Sequence, residues 1–317
     1  MNKITLGRTN IEVSELCFGA LPIGPLQKNV PIEEGADIIA HALESGITFV
    51  DTAQMYKTYE MIEGAMKKTG KRPIISTKST AATYEDMEKA IKEALEKLDI
   101  DYIDIFLLHA ARVGADVFEV RAGAWECLKD YKAKGIIKAI GGSFHSVLAV
   151  NAAAQNEECD IVFPLVNKSG MGVMHGSCED MEKAVELCFK KNKGVFFMKL
   201  FAGGVYLNDY KAAVEYGKNL SKGRASYAVG MITKQEVDMN LKYFTGESVD
   251  DEINALKSYS KSFFVADFLC KSCGFCLEQC AADAIYQGDK HAIIESDKCV
   301  RCGYCVGECP EFAIRMV

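Results

Sequence analysis

Eight of the chain's 13 cysteines stand near its C-terminal end, in two copies of one spacing. Each copy reads Cys-x2-Cys-x2-Cys-x3-Cys, the bacterial-type ligand pattern for 4Fe–4S clusters, in which the fourth cysteine of one run serves the other cluster. The sequence therefore predicts two 4Fe–4S clusters. The first would be held by Cys270, Cys273, Cys276 and Cys309, and the second by Cys299, Cys302, Cys305 and Cys280.

Zinc and disulfide bonds are the other uses of closely spaced cysteines. Zinc sites take well-separated Cys-x2-Cys pairs and need no third cysteine at the same step. Disulfides need an oxidising compartment, and no other feature of the sequence indicates one. The spacing therefore favours iron–sulfur clusters over both alternatives.

A second group of polar residues could move protons. Asp51, Lys78 and His109 each end a short apolar run, and Tyr56 follows in the loop after Asp51. A tyrosine with its ordinary pKa of about 10 is a poor acid at neutral pH. A nearby ammonium group, here Lys78 held by Asp51, would lower that pKa by stabilising the phenolate. With His109 orienting a carbonyl oxygen, the group predicts general acid catalysis on a carbonyl, or general base catalysis on an alcohol.

Each of these four residues also has an ordinary structural interpretation. Asp51 could cap a helix, Tyr56 could be a surface loop residue, and Lys78 could be solvated. His109 could be a histidine whose hydrogen bonds are made within the fold. Taken singly, such residues are weak motifs, and their occurrence at the ends of successive predicted strands is what favours the catalytic interpretation.

The segments that would position these residues alternate between helix-type and strand-type sequence patterns. Amphipathic helical segments, of which 87–98 is the clearest, separate near-continuous apolar runs that are typical of parallel strands buried on both faces. The predicted strands are 16–20, 47–51, 73–78, 103–109, 136–143, 160–165, 194–198 and 225–229. Regular alternation over this length predicts either a doubly wound sheet or an eight-stranded barrel.

Two observations favour the (β/α)8 TIM barrel. There are eight strands, and the chemically interesting residues follow the carboxyl ends of successive strands, where barrel enzymes carry their sites. The first strand-to-helix turn also lacks the Gly-x-Gly-x-x-Gly of a dinucleotide-binding sheet. We therefore predict an α/β barrel over 1–242, a connecting helix over 243–266, and a small α+β domain of bacterial ferredoxin type over 267–317.

Composition and charge limit the possible functions. Hydrophobic residues make up 49% and charged residues 26%, as in ordinary globular proteins. The net charge of −7 argues against nucleic-acid binding. Neither a secretory signal nor an apolar run of membrane-spanning length is visible. Scattered cysteines outside the tail are expected to be buried free thiols, which favours a reducing, cytoplasmic location.

Several segments of the sequence resemble the aldo-keto reductase family. They are 6–14, 18–20 and the stretch from Gly46 to Tyr56, with Glu60 and Gly64 after it. The resemblance covers residues 1 to about 242, and the cysteine-rich tail makes the chain similar to the ferredoxin-fused branch of that family. It implies that Asp51, Tyr56, Lys78 and His109 are the catalytic tetrad, with Tyr56 as the acid and a nicotinamide cofactor, NAD(P)(H), giving the hydride.

The same resemblance implies a set of cofactor contacts. Ser143 and Asn167 would hold the nicotinamide carboxamide, although loop capping is an equally good interpretation of both from the residues alone. The loop that begins Met198-Lys199 would border the ring and phosphates. Gly230, Thr233 and Asn240 would bind the adenosine end.

The sequence departs from the family pattern at the cofactor. Met198 stands where many members stack an aromatic ring on the nicotinamide, and Glu236 stands where many place an arginine against a 2′-phosphate. A carboxylate repels phosphate and suits a 2′-hydroxyl, so the sequence favours NADH over NADPH. A flavin on the barrel rim stays open.

Three functions remain in view. The first is a carbonyl reductase or alcohol dehydrogenase whose clusters pass electrons to or from a redox protein partner. The second is the same nicotinamide chemistry on a small-molecule carbonyl or alcohol, with purely structural clusters. The third is an electron-transfer protein on a barrel scaffold. Arg112 and Arg121, in strand-to-helix loops, are candidates to meet an anionic substrate, although exposed surface arginines are the commoner case.

Overall fold

Eight parallel strands close into a barrel in the computed structural model, which describes residues 1–253, 262–280, 283–299 and 304–316. The predicted (β/α)8 fold is confirmed. Around the barrel the strands follow the order β3, β4, β5, β6, β7, β8, β9, β10 and back to β3. Their bounds are β3 Leu16–Gly19, β4 Phe49–Asp51, β5 Ile74–Ser79, β6 Ile103–His109, β7 Ile137–Phe144, β8 Ile161–Pro164, β9 Gly194–Met198 and β10 Ala225–Gly230.

A helix packs outside the barrel after each strand. The helices are α1 Ile32–Glu44, α2 Tyr59–Thr69, α3 Tyr84–Leu98, α4 Val117–Val120, α5 Ala122–Ala133, α6 Val147–Gln155, α7 Cys178–Lys190, α8 Tyr210–Ser221 and α9 Lys234–Thr245. In α3, the side chain of Thr83 accepts a hydrogen bond from the Asp86 N–H at the start, and Met87, Ala90 and Ile91 begin the buried face. The N-cap and the helical spacing of apolar residues in α3 thus agree with its position on the outside of the barrel, as the sequence predicts.

The amino-terminal end of the barrel is closed by a hairpin. Strands β1 (Lys3–Thr5) and β2 (Glu12–Ser14) pair antiparallel, and Ile4 and Val13 join the apolar core inside the barrel. Within that core the rings of Phe163 and Phe196 stack with centroids 3.8 Å apart. Because this end is filled, the carboxyl ends of the strands form the accessible mouth.

The C-terminal domain forms two antiparallel pairs and its own small core. Strand β11 (Phe263–Val265) pairs with β14 (Ile314–Met316), and β12 (Ile285–Gln287) pairs with β13 (Ala292–Ile294). Two short helices, Phe275–Glu278 and Tyr304–Glu308, lie within the cysteine runs. Of the predicted connecting helix, residues 250–253 are helical, and the following residues 254–261 lie outside the described part of the chain.

This domain lies on the barrel mouth, which it contacts in part through Phe312. Its ring lies against Gly172 in the loop after β8, where a Cβ would come within 2.9 Å of it, and close to Gly203 in the loop after β9. A side chain at Gly172 would therefore clash with the Phe312 ring. Arg112, in the loop after β6, forms an ion pair with Glu311 of the C-terminal domain. The domain thus forms part of the rim at which barrel sites are built.

Candidate active site

Asp51 and Lys78 form a buried ion pair at the ends of neighbouring strands. The Lys78 Nζ donates to both carboxylate oxygens of Asp51, at 2.9 and 2.7 Å, and to the Thr52 carbonyl at 2.7 Å. Burial disfavours the ammonium, but the negative charge of Asp51 acts against it, and the net effect raises the pKa of Lys78 above its ordinary value. Lys78 is therefore a fixed positive charge whose three N–H groups are all engaged.

Tyr56 and His109 lie beside this pair. Tyr56 ends a short 3-10 helix, Gln54–Tyr56, that follows β4, and the Lys78 Nζ lies 4.9 Å from the centroid of its ring. The rings of Tyr56 and His109 meet edge to face with centroids 5.8 Å apart. The structure thus brings together all four residues predicted to move protons.

The electrostatics keep Tyr56 protonated. Burial raises the pKa of Tyr56 above its ordinary value, and the positive charge of Lys78 acts against that effect without outweighing it. Lys78 therefore acts on Tyr56 in the expected direction, but the net direction is opposite to the expected lowering because the phenol is taken out of water. A protonated phenol beside an ammonium is arranged to give up a proton when a substrate oxygen accepts one.

His109 is neutral at physiological pH. Burial, followed by the positive charges of Lys78 and Lys199, lowers the pKa of His109 to about 3. Its Nδ1 is buried and has no hydrogen-bond partner among the described residues. A neutral imidazole can donate one N–H to a carbonyl oxygen without competing with Tyr56 as the acid.

The neutral state of His109 predicts a loss of stability in acid. Between the ordinary histidine pKa of about 6.5 and about 3, the unfolded chain binds a proton that the folded chain excludes. Stability is therefore complete above pH 6.5 and falls as the pH falls. His109→Gln should reduce the slope of unfolding free energy against pH by about 1.4 kcal/mol per pH unit in this window, as measured by urea unfolding. An unchanged slope would show that His109 titrates normally in the fold.

Two cavities meet at Tyr56. The larger, about 180 Å³, extends along the ends of β9, β10 and β3 and is bordered by Gly203, Gly204 and Gly230. The smaller, about 110 Å³, lies over His109 and Ser143. The walls common to both include Tyr56, Met198 and Lys199. A ligand in each cavity would therefore meet the other at the phenol.

Glycine residues form part of the wall of the larger cavity. Gly203 and Gly204 both have positive φ, 71° and 104°, so a curled stretch of bare backbone forms one wall. At Gly230 a Cβ would come within 2.4 Å of Pro22, so this position needs a glycine to hold its place at the cavity. A cofactor can lie close to such a wall, because no side chains stand between it and the backbone.

The residues predicted to bind the cofactor divide into two groups. Ser143, Met198, Lys199 and Gly230 line the cavities, and Ser143 pairs in register with His109. The other three residues are occupied within the fold. The Asn167 amide bonds to Met171 in its own loop, Thr233 caps α9, and Asn240 bonds to Tyr210 and to the Glu236 carbonyl.

Glu236 borders the larger cavity in a restrained position. Its carboxylate accepts a hydrogen bond from the Ile232 N–H at 2.7 Å, and the residue is buried at the first turn of α9. The carboxylate therefore places fixed negative charge on this wall.

The first predicted cluster site is a shared cavity in the C-terminal domain. Cys270, Cys273, Cys276 and Cys309 line it together. Backbone N–H groups donate to two of these sulfurs, from Ser272 to Cys270 and from Ala313 to Cys309. Gly274 between the cysteines has φ of 85°, which lets the loop bend around the cavity. Thiols gathered around one space, with N–H donors to sulfur, fit a 4Fe–4S cluster.

The second predicted set is described only in part. Cys280 accepts a hydrogen bond from the Ala284 N–H at 3.2 Å, and Cys305 is buried in the domain core. Cys299 packs against the same core. Cys302 lies outside the described residues, so this set stays a prediction.

Sequence reasoning missed the contribution of the C-terminal domain to the catalytic cavity. Phe268, Leu269, Glu311 and Arg315 line the smaller cavity, and Arg315 also lines the larger one. Glu311 borders the first cluster cavity as well. The only signal in the sequence is the lack of a flexible linker before the domain, which indicates close packing without identifying the residues.

The two arginines named as candidates to meet an anion both have partners within the fold. Arg112 lines the smaller cavity and pairs with Glu311, and Arg121 donates to the Thr80 carbonyl. No helix in the described ranges has the length and apolar character needed to cross a membrane.

Comparison with protein families gives two matches. Residues 15–243 match the model of the aldo/keto reductase family, which is more than half of the chain. Residues 292–315 match the model of the 4Fe-4S binding domain.

Curated proteins that are similar in sequence to this chain include oxidoreductases. The chain is 28% identical over 156 residues to an uncharacterised oxidoreductase, YqkF, of Bacillus subtilis, covering 44% of this chain and 48% of the relative. It is 32% identical over 112 residues to the methylglyoxal reductase DkgA of Escherichia coli, covering 34% and 40%. It spans about half the length, or less, of these curated relatives.

Among solved structures, an aldo-keto reductase from Bacillus halodurans matches the fold. Its TM-score is 0.63 at 18% identity, with 81% of this chain and 96% of that chain covered.

Proposed function

The chain belongs to the aldo/keto reductase family, and on that premise we propose that it interconverts a small-molecule carbonyl and an alcohol with a nicotinamide cofactor. The observation that carries the proposal is the position of Lys78. Three hydrogen bonds hold its ammonium beside the ring of Tyr56, at the junction of two cavities. This is the arrangement that proton transfer to a carbonyl oxygen requires.

The chain's own residues supply the proton and the orientation. The Tyr56 hydroxyl donates its proton to the carbonyl oxygen, and Lys78 stabilises the phenolate that is left. The neutral imidazole of His109 donates a hydrogen bond to the same oxygen. Asp51 keeps Lys78 charged and in place. A nicotinamide bound in the larger cavity would supply the hydride to the carbonyl carbon, and in the reverse direction Tyr56 would take the proton of the alcohol.

We further propose that NADH is preferred over NADPH. The support is Glu236, whose carboxylate lies on the wall of the larger cavity and would repel a 2′-phosphate. Ser143 and Lys199, which line the cavities near Tyr56, are the residues we assign to the nicotinamide end.

The 4Fe–4S binding domain suggests a second activity, electron exchange with a redox protein partner. It is supported by Glu311, which borders both the first cluster cavity and the catalytic cavity. A 4Fe–4S cluster carries single electrons, whereas hydride transfer moves two, so coupling the two would need a converting group such as a flavin. The alternative is that the clusters only stabilise the fold of the C-terminal domain. It is supported by the position of that domain in the wall of the catalytic cavity.

One assay separates these functions. Protein purified without oxygen is mixed with NADH or NADPH, and with a panel of small aldehydes and ketones. We expect carbonyl-dependent oxidation of the cofactor, with a lower KM for NADH. Bleaching of the iron–sulfur absorbance within a turnover supports electron exchange, and stable absorbance during turnover supports structural clusters. Cluster bleaching with no carbonyl reduction in the whole panel would contradict the reductase proposal and favour the scaffold function.

A further inference from the structure

Arg315 places a buried guanidinium at the junction of the two cavities. It belongs to β14, is only 8% exposed, and lines both the larger and the smaller cavity. Its guanidinium carbon lies 4.5 Å from the ring centroid of Phe312, a residue through which the domain contacts the barrel. The side chain is thus held from one side by packing, with its charged end at the catalytic cavity.

The guanidinium is not satisfied within the protein. Its Nη1 is buried and has no hydrogen-bond partner among the described residues. Leaving a buried charged donor without a partner costs free energy, and buried polar groups in folded proteins nearly always have one. The unpaired donor therefore indicates a missing acceptor.

The carboxylates around the cavities are already engaged. Asp51 is paired with Lys78, Glu311 with Arg112, and Glu236 accepts from the Ile232 N–H. A second basic side chain, Lys199, lies on the wall shared by the two cavities, with its Nζ 5.4 Å from the Phe312 ring centroid. Burial lowers the pKa of Lys199 well below its ordinary value, which leaves the Arg315 guanidinium as the permanent positive charge on that wall.

We propose that Arg315 binds a carboxylate of the substrate, so that the carbonyl compound reduced at Tyr56 is a small oxo acid. A planar guanidinium matches a carboxylate with two parallel N–H···O bonds, which Lys199 cannot do. The assignment of the carbonyl rests on the proposed function, whereas the anion site rests on Arg315 alone.

The position favours substrate over cofactor phosphate as the source of the anion. The charge of Arg315 acts on the Tyr56 hydroxyl, where the reacting carbonyl must lie. Arg315 also lies outside residues 15–243, the part that matches the reductase family, while the residues assigned to the cofactor lie within it. The arginine is thus an addition by the C-terminal domain to a complete barrel.

The test uses the full-length protein with its clusters and a non-reactive probe, oxamate, which carries a carboxylate next to an amide carbonyl. Calorimetric titration of the cofactor-bound protein should show binding, weakened about 100-fold in Arg315→Met and less in Arg315→Lys. Arg224→Met removes a guanidinium that is paired with Glu186 away from the site, and it should bind like the parent. The visible cluster absorbance and the melting temperature show that each variant is folded.

Absence of oxamate binding to the parent protein, or equal binding by Arg315→Met, would overturn the proposal. Should Arg315→Met instead weaken NADH and NADPH binding while leaving oxamate unaffected, the anion is the cofactor's phosphate and the substrate assignment is wrong. Arg315→Lys keeps the test decisive if Arg315→Met does not fold.

A kinetic arm separates this inference from the proposed function. For pyruvate and its uncharged methyl ester, Arg315→Met should lower kcat/KM about 100-fold for the acid alone. Equal losses on both would indicate a structural role and overturn the inference. If the parent reduces neither of these compounds nor any carbonyl of the panel, yet binds oxamate through Arg315, the anion site stands and the reductase proposal fails. If it reduces the ester and Arg315 proves irrelevant to the acid, the reductase proposal stands and this inference fails.

Discussion

Tyr56→Phe is expected to lower kcat for carbonyl reduction by about 10²–10⁴-fold, with little change in cofactor binding. The substitution removes the phenolic hydroxyl, and with it the proton that Tyr56 would donate. It leaves the ring beside the Lys78 ammonium and in contact with His109. Stopped-flow measurement of cofactor oxidation, with cofactor affinity from fluorescence titration, would separate the chemical step from binding.

Tyr59→Phe is the matched control. Its hydroxyl is buried three residues away and bonds to the Thr77 Oγ1 at 2.7 Å, but it does not line either cavity. Removing it should cost about 1 kcal/mol of stability and leave kcat within about twofold. Full activity in Tyr56→Phe would mean that another group is the acid, and equal losses in the two variants would mean that the effect is structural.

The barrel and its proton-transfer group follow from local patterns. Apart from Asp104 near its start, the run 103–109 is apolar up to His109, the polar residue that ends this strand buried on both faces. The ends of parallel strands meet at one rim, so Asp51, Lys78 and His109 converge whatever the details of the loops. This part of the site could be predicted because it depends on strand ends and not on contacts that are distant in sequence.

The rest of the site depends on how loops and the second domain pack. Arg315 reaches a cavity whose other walls come from residues as far away in sequence as Gly19, and no local pattern indicates that contact. Asn167 could equally well bind a ligand or hold its own loop, and the structure shows its amide bonded to Met171. The pKa of Tyr56 was expected to fall because the sequence shows the nearby lysine but not the burial of the phenol.

The cysteine-rich domain covers the barrel mouth and therefore forms part of the wall of the catalytic cavity. Phe312 and Arg315 follow Cys309 within six residues, and Glu311 lies between the cluster cavity and the catalytic cavity. Binding of metal and folding are linked in small metal-binding domains. The cluster ligands should therefore also determine how well the wall of the catalytic cavity is ordered.

Cys309→Ala is accordingly expected to change both metal content and the cavity. Iron should fall from about eight atoms per chain to about four, because one of two 4Fe–4S clusters loses a ligand. Amide exchange in 304–316 should accelerate by at least about tenfold as the domain core around Phe312 loosens. Oxamate affinity should fall with it, because Arg315 loses its fixed position. Iron and sulfide analysis with hydrogen-exchange mass spectrometry measures the first two effects.

Cys178→Ser is the control for this experiment, because Cys178 lies on the barrel and bonds to Tyr216, outside both cysteine runs. It should keep the full iron content and the slow exchange of 304–316. About four irons in the parent protein would contradict the assignment of two clusters. Loss of iron in Cys309→Ala without faster exchange would show that the wall of the catalytic cavity is held by Phe312 and the Arg112–Glu311 pair alone. The first cluster would then have to be explained by electron transfer and not by structure.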